Sequence, residues 1–210
     1  MGGSIAARTD RRHLVVLLAQ GRGSTALRKV NARLLDPISR DDFAEARVRE
    51  FMDAVETLGV RPRDVSQSML TDGEMSVDDI LGVISDMAAK NPDAEHRTMS
   101  YLDPNADHCA AGKALKRAYD RELLTDCFFH LAVPKVEAPA ATRTKLSRRA
   151  VELKREALAA YQVWDPRNGR YGIGGFSVAP LIEAQRAQPR EHVHGPTFTS
   201  TAQPPPKVTQ

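Results

Sequence analysis

The side chains best placed to do chemistry are cations. Arg143, Lys145, Arg148, Arg149, Lys154 and Arg155 crowd one segment, and only Glu152 and Glu156 oppose them. Such a surface suits an acidic protein, such as the acidic tails of cytoskeletal filaments, or a phosphate backbone. No aromatics are interleaved to stack bases, so nucleic acid is the less favoured partner. The glycines of Gly21-Arg22-Gly23-Ser24-Thr25 could turn backbone donors toward a phosphate, but the lysine and spacing of a nucleotide loop are missing. The histidines His13, His96, His108, His130, His192 and His194 include no helical pair around a glutamate. Neither His108-Cys109 nor His192-Val193-His194 has the second half that a zinc site requires. There is no Gly-x-Ser-x-Gly elbow and no carboxylate pair that stands apart from ordinary helix charges. On residue types alone the chain is expected not to be an enzyme.

The elements that would position these groups read as helices. Ser24 or Thr25 can cap a helix through Ala26, Leu27, Val30 and Leu34, ended by Pro37. Ser39 with Asp42, and Ser76 with Asp79, form capping pairs ahead of two longer apolar stripes, the first stopped by Gly59 and the second by Asn91-Pro92. A further helix runs through Leu115, Ala118, Leu123, Cys127 and Phe128. Pro134 to Ala141 reads as a linker. From Thr142 to Trp164 the residues Leu146, Ala150, Leu153, Ala157, Tyr161 and Trp164 make one apolar stripe, and the cations lie on its outer face. Beyond Trp164, glycine and proline accumulate and the pattern is that of an extended tail.

Bulk composition agrees with a helical core. Hydrophobic residues make up 41% and charged residues 27%, near globular averages, while aromatics at 5% leave the core to Leu, Val, Ile, Met and Ala. The net charge of +3 is too small to imply nucleic acid without clustering. Cys109 and Cys127 give no disulfide framework, which points to a reducing compartment. The apolar run Leu14 to Ala19 is too short for a membrane span, so a soluble, cytoplasmic protein is expected.

One pattern recurs. Ile38-Ser39-Arg40-Asp41-Asp42-Phe43 and Met75-Ser76-Val77-Asp78-Asp79-Ile80 share an apolar residue, a serine cap, an acid and a second apolar residue in register, and Phe176-Ser177-Val178-Ala179-Pro180-Leu181 is a weaker third copy. With helix, turn and helix between the first two copies, the chain resembles the EF-hand (calmodulin-like) superfamily in degenerate form. The resemblance implies a mainly α fold of two EF-hand-like helix–loop–helix pairs joined by a linker. It divides the chain into an N-terminal segment 1–22, a helical pair 23–92, a second helical unit 93–181 containing the basic helix 142–164, and an extended Pro-rich tail 182–210. It also places Asp103, Asn105 and Asp107 at the first, third and fifth calcium-ligand positions, with His108 where the glycine should be and Ala114 in place of the bidentate acid.

The function this implies is a non-catalytic structural or interaction protein of a larger assembly, by analogy a ciliary or microtubule-associated component whose partners would be tubulin or other axonemal proteins. No cofactor is expected, calcium at the 103–107 loop being the exception weighed. A calcium-responsive regulator using that loop, and an accessory subunit of a ribonucleoprotein, are the alternatives. Partner contacts are expected at Arg143, Lys145, Arg148, Arg149, Tyr171 and Phe176. The stretch Asp165 to Leu181 is expected to dock on the body, with the part beyond Pro189 free or ordered by a partner.

Overall fold

The computed structural model describes residues 1–132 and 142–198. In chain order the elements are α1 (Gly2–Ala6), β1 (Val15–Leu17), α2 (Ala26–Asn31), α3 (Arg40–Thr57), β2 (Val65–Gln67), α4 (Val77–Lys90), β3 (His96–Met99), α5 (Ala106–Asp120), β4 (Cys127–His130), β5 (Thr142–Lys145), α6 (Arg148–Ala160), β6 (Trp164–Asp165), β7 (Arg170–Tyr171), α7 (Ile173–Ser177), α8 (Ala179–Ala187) and β8 (Arg190–His194). Short 3-10 turns cover Pro62–Asp64 and Pro166–Asn168.

β1 and β2 pair in parallel, Val15 opposite Val65, with α2 and α3 between them in sequence. β3 and β4 also pair in parallel, His96 opposite Cys127, with α5 as their crossover. Parallel neighbours need such a crossover, and the helix then covers a face of the sheet. β8 runs antiparallel to β4, and β5 antiparallel to β8, giving the order β3-β4-β8-β5.

α5 lies on one face through Ala110, Ala111, Ala114 and Ala118, small enough for Phe129 and Cys127 of β4 to pack beneath, and α4 adds Ile80 and Leu81. A second core joins α1, α3 and α6 through Ala6, Ala54, Leu58, Leu146, Ala150 and Ala157. A third gathers Val30, Phe43, Tyr171 and Ile173.

This α/β architecture overturns the expected mainly α fold and the EF-hand resemblance. The serine caps are real: Ser39 Oγ accepts the Asp42 N–H and Ser76 Oγ accepts the Asp79 N–H. They start α3, the crossover from β1 to β2, and α4, which leads from that sheet to β3, not the second helices of calcium loops. Ile38 and Met75, which would pair across an EF-hand couple, pack in different cores. The expected tail is overturned as well. α8 carries the chain to Ala187, and Arg190–His194 is the strand between β4 and β5. The expected helix from Thr142 is a strand to Lys145, and Ser147 caps the helix that follows. The linker expected at Pro134 to Ala141 and the residues beyond 198 lie outside the described residues. Among the described residues no helix is long and apolar enough to cross a membrane.

Candidate functional site

In sheets of parallel strands, ligands bind in the crevice beyond the carboxyl ends of the strands. Three such ends converge here. The loop after β1 is tied to the loop after β2 by the Ser68 N–H to Leu17 O (2.8 Å) and the Leu70 N–H to Leu18 O (3.2 Å). Gly23 lies so close to this second loop that a Cβ there would stand 3.2 Å from Asp72 O. The Gly73 N–H, at φ +86°, donates to Asp107 Oδ2 at 2.8 Å, joining the same loop to the first turn of α5.

The loop after β3 completes the site. Ser100 is fully buried, its Oγ 2.8 Å from His194 Nε2, and it accepts the Leu102 N–H at 3.1 Å. Tyr101 packs edge-on against Phe129 and His194. Above this floor Asp103 turns inward, its side chain 4% exposed, and Oδ1 accepts the Asn105 N–H at 2.9 Å. Asn105 in turn caps α5, its Oδ1 accepting the His108 N–H at 3.1 Å. The cap fixes the first helical turn, and that turn brings His108 Nδ1 to 3.3 Å from Asp103 Oδ1 with 45% of its side chain exposed.

At 3.3 Å from Asp103 Oδ1, Nδ1 is at ion-pair distance without the alignment of a hydrogen bond, and the Nε2 lone pair is left for other work. The Asp103–His108 pair, beyond three converging strand ends, is thus a candidate base with an acid beside it. Cys127 is not a competing nucleophile, since burial pushes its thiol up to about 11.

The residues proposed from the sequence fall in four places: the loop before α5 with its first turn, strand β5, the first turn of α6 and the third core. Asp103, Asn105 and Asp107 are indeed neighbours, but each is turned to a different internal task, and they share no common ligand point in the bonds they make. Arg143 and Lys145 are exposed on the outer strand β5. Arg148 and Arg149 are exposed in the first turn of α6, facing Glu152 at 3.3 and 3.8 Å. Lys154, read as part of the same basic face, is buried 3.2 Å from Glu191. Tyr171 is buried in the third core, and Phe176 carries the Arg33 guanidinium over its ring at 4.7 Å. In the sequence His108 stands out only as a misfit for a calcium-loop glycine. The signal that marks it is an Asp five residues ahead, across a helix cap.

No protein-family model matches the chain, and no curated protein does. Solved structures do. GalB, the 4-carboxy-2-hydroxymuconate hydratase of Pseudomonas putida KT2440, aligns at a TM-score of 0.58 with 18% identity over 97% of this chain and 92% of that one. A triple mutant of a deacetylase involved in the teicoplanin biosynthetic pathway aligns at 0.64 with 16% identity over 92% and 90%. The zinc-inhibited form of teicoplanin deacetylase aligns at 0.63 with 13% identity over the same shares. At these identities the likeness is one of fold. It removes the ground for the ciliary scaffold and its calcium-regulator and ribonucleoprotein alternatives, since that reading was built on EF-hand pairs and the chain aligns over nine-tenths or more of its length with α/β structures of another fold.

Proposed function

We propose that the chain is an enzyme that adds water to a carbonyl-activated carbon of a small molecule, with His108 as the base and Asp103 as the residue that positions it. The observation that carries this reading is the 3.3 Å approach of Asp103 Oδ1 to His108 Nδ1 at the strand-end crevice. The names of the fold neighbours support it, since hydration and deacetylation both consume water at a carbon in or conjugated to a carbonyl.

In this reaction His108 Nε2 takes a proton from water as the oxygen adds to the electrophilic carbon. Asp103 stabilises the imidazolium that forms. With a conjugated C=C, the π electrons pass into the carbonyl as an enolate and the imidazolium returns its proton to the α-carbon; with an N-acetyl amide, the C–N bond breaks and the imidazolium returns its proton to the departing nitrogen, giving acetate and an amine. His108 lies in the first turn of α5, so the dipole of that amino end favours the negative charge that develops on a carbonyl oxygen held at this base.

One neighbour is inhibited by zinc, and the donor set here does not fit that ion. Among the described residues no three His, Cys, Asp or Glu side chains gather where they could hold a metal. Asp103 is engaged by Asn105 and His108, and Asp107 by Gly73. Protein zinc sites use three or four donors, more than these residues offer.

The test is a substrate panel of N-acetylated amino sugars and unsaturated 2-hydroxy dicarboxylates, read by acetate release and by loss of diene absorbance. Turnover by the wild type that falls about 10²- to 10⁴-fold in His108→Ala supports the reading. Equal turnover in the two proteins, or none with the wild type on either substrate class, removes it.

A further inference from the structure

We infer that the notch at the amino ends of β1 and β2 is a binding site for a phosphoryl dianion. It is a cavity of about 300 Å³, at the lower end of the range for small-molecule sites. Arg11, Arg12 and Arg61 line it together with His13 and Asp64. It lies at the opposite ends of these strands from the crevice that holds His108, so it is no part of the reaction site.

The notch is built. Asp64 has a side chain only 2% exposed, and it accepts Arg12 Nε and Nη2 on Oδ1 at 2.9 and 2.7 Å and Arg61 Nε on Oδ2 at 2.7 Å. Hydrogen bonds from Arg12 and then Arg61 hold its carboxyl below the usual range, so it is a fixed anion. Those bonds orient two guanidiniums and leave Arg12 Nη1 and both terminal nitrogens of Arg61 without a protein acceptor among the described residues, and the same holds for the whole Arg11 guanidinium.

Three guanidiniums share this cavity with one carboxylate. One arginine would have sufficed to neutralise Asp64, and the surplus cations repel one another unless an anion enters between them. Planar, preset N–H forks match the oxygens of a phosphoryl group, which accepts several such bonds at once. A singly charged carboxylate ligand would leave part of the excess charge uncompensated, whereas a dianion balances it.

Isothermal titration of the full chain with inorganic phosphate and, separately, with ribose 5-phosphate tests this at about 0.15 M salt, where diffuse attraction between exposed charges is largely screened. Saturable binding of at least one of them is expected. It should weaken about tenfold or more in Arg11→Ala, since a hydrogen bond to a charged group is lost, while the melting temperature stays that of the wild type because the Arg11 side chain makes no hydrogen bond among the described residues and its backbone bond to Arg8 is kept. Arg61→Ala should show a similar loss. Tighter binding of ribose 5-phosphate identifies a phosphate monoester as the ligand, and equal binding identifies the free ion. Absence of saturable heat with both probes, or wild-type affinity in both variants, overturns the assignment.

Discussion

Gly73 donates its backbone N–H to the carboxylate of Asp107 at 2.8 Å, 34 residues further along the chain. The bond fastens the loop after β2 to the helix that carries His108, so the two walls of the crevice move together. Replacing Asp107 by Ala should free the loop at a stability cost of about 1 kcal/mol, small because the pair is solvent-exposed. Hydrogen exchange at the Gly73 amide is the direct measure: it should quicken in Asp107→Ala, and an unchanged rate would show that the bond does not hold the loop.

Glu50 is buried in α3 beneath the start of α7, accepting the Ile173 N–H at 2.7 Å. Burial pushes its carboxyl up to about 7, against the backbone bonds from Ile173 and Gly174 and the nearby charges of Arg47 and Arg170. Between about 4.5, its value in the unfolded chain, and about 7, the folded protein therefore holds the proton more tightly than the unfolded one. Stability from this group is full below that window and is lost as pH rises through it, by about 3 kcal/mol in all. Glu50→Gln keeps the acceptor and removes the titration. The stability difference, wild type minus variant, should fall between pH 4.5 and 7.5, and a flat difference would contradict the assignment.

Gly112 faces the backbone where β3 ends. A Cβ at this position would overlap Tyr101 N and Ser100 C, and backbone cannot step aside as a side chain can. Gly112→Ala should cost about 3 kcal/mol or more and lower activity with stability, since the loop displaced is the one that sets Asp103. A wild-type melting temperature in this variant would show that α5 can shift away from the sheet without cost.

How much of this could be read from the sequence depended on the length of each element. Ser39 with Asp42 and Ser76 with Asp79 announced two long helices, because a cap followed by many turns of apolar spacing leaves a strong signal. The strands are two to five residues long, and polar ones such as His96-Arg97-Thr98-Met99 and Arg190-Glu191-His192-Val193-His194 show no apolar alternation. Their polar groups are buried against partners far away in sequence, as Glu191 is with Lys154 and the Gly3 N–H, so tertiary contacts rather than local pattern decided the strands.

The site failed to show for a related reason. The acid-rich loop before α5 is visible in the sequence, where its alternate oxygens suit calcium. In the fold Asn105 is spent as the cap, Asp107 as the tie to Gly73, and Asp103 as the partner of His108. Only the helical turn that the cap enforces brings Asp103 and His108 face to face.

The proposed chemistry depends on that pair. The most direct measurement is steady-state turnover, on whichever panel substrate the wild type converts, of the wild type, Asp103→Asn and His108→Gly, the last with and without free imidazole. The expected result is a kcat lower by about 10²-fold or more in both variants with little change in KM, wild-type melting temperatures, and partial recovery of His108→Gly by imidazole, which can supply the missing base. Activity in His108→Gly equal to the wild type, or a loss in both variants that follows melting temperature and is not restored by imidazole, would contradict the account.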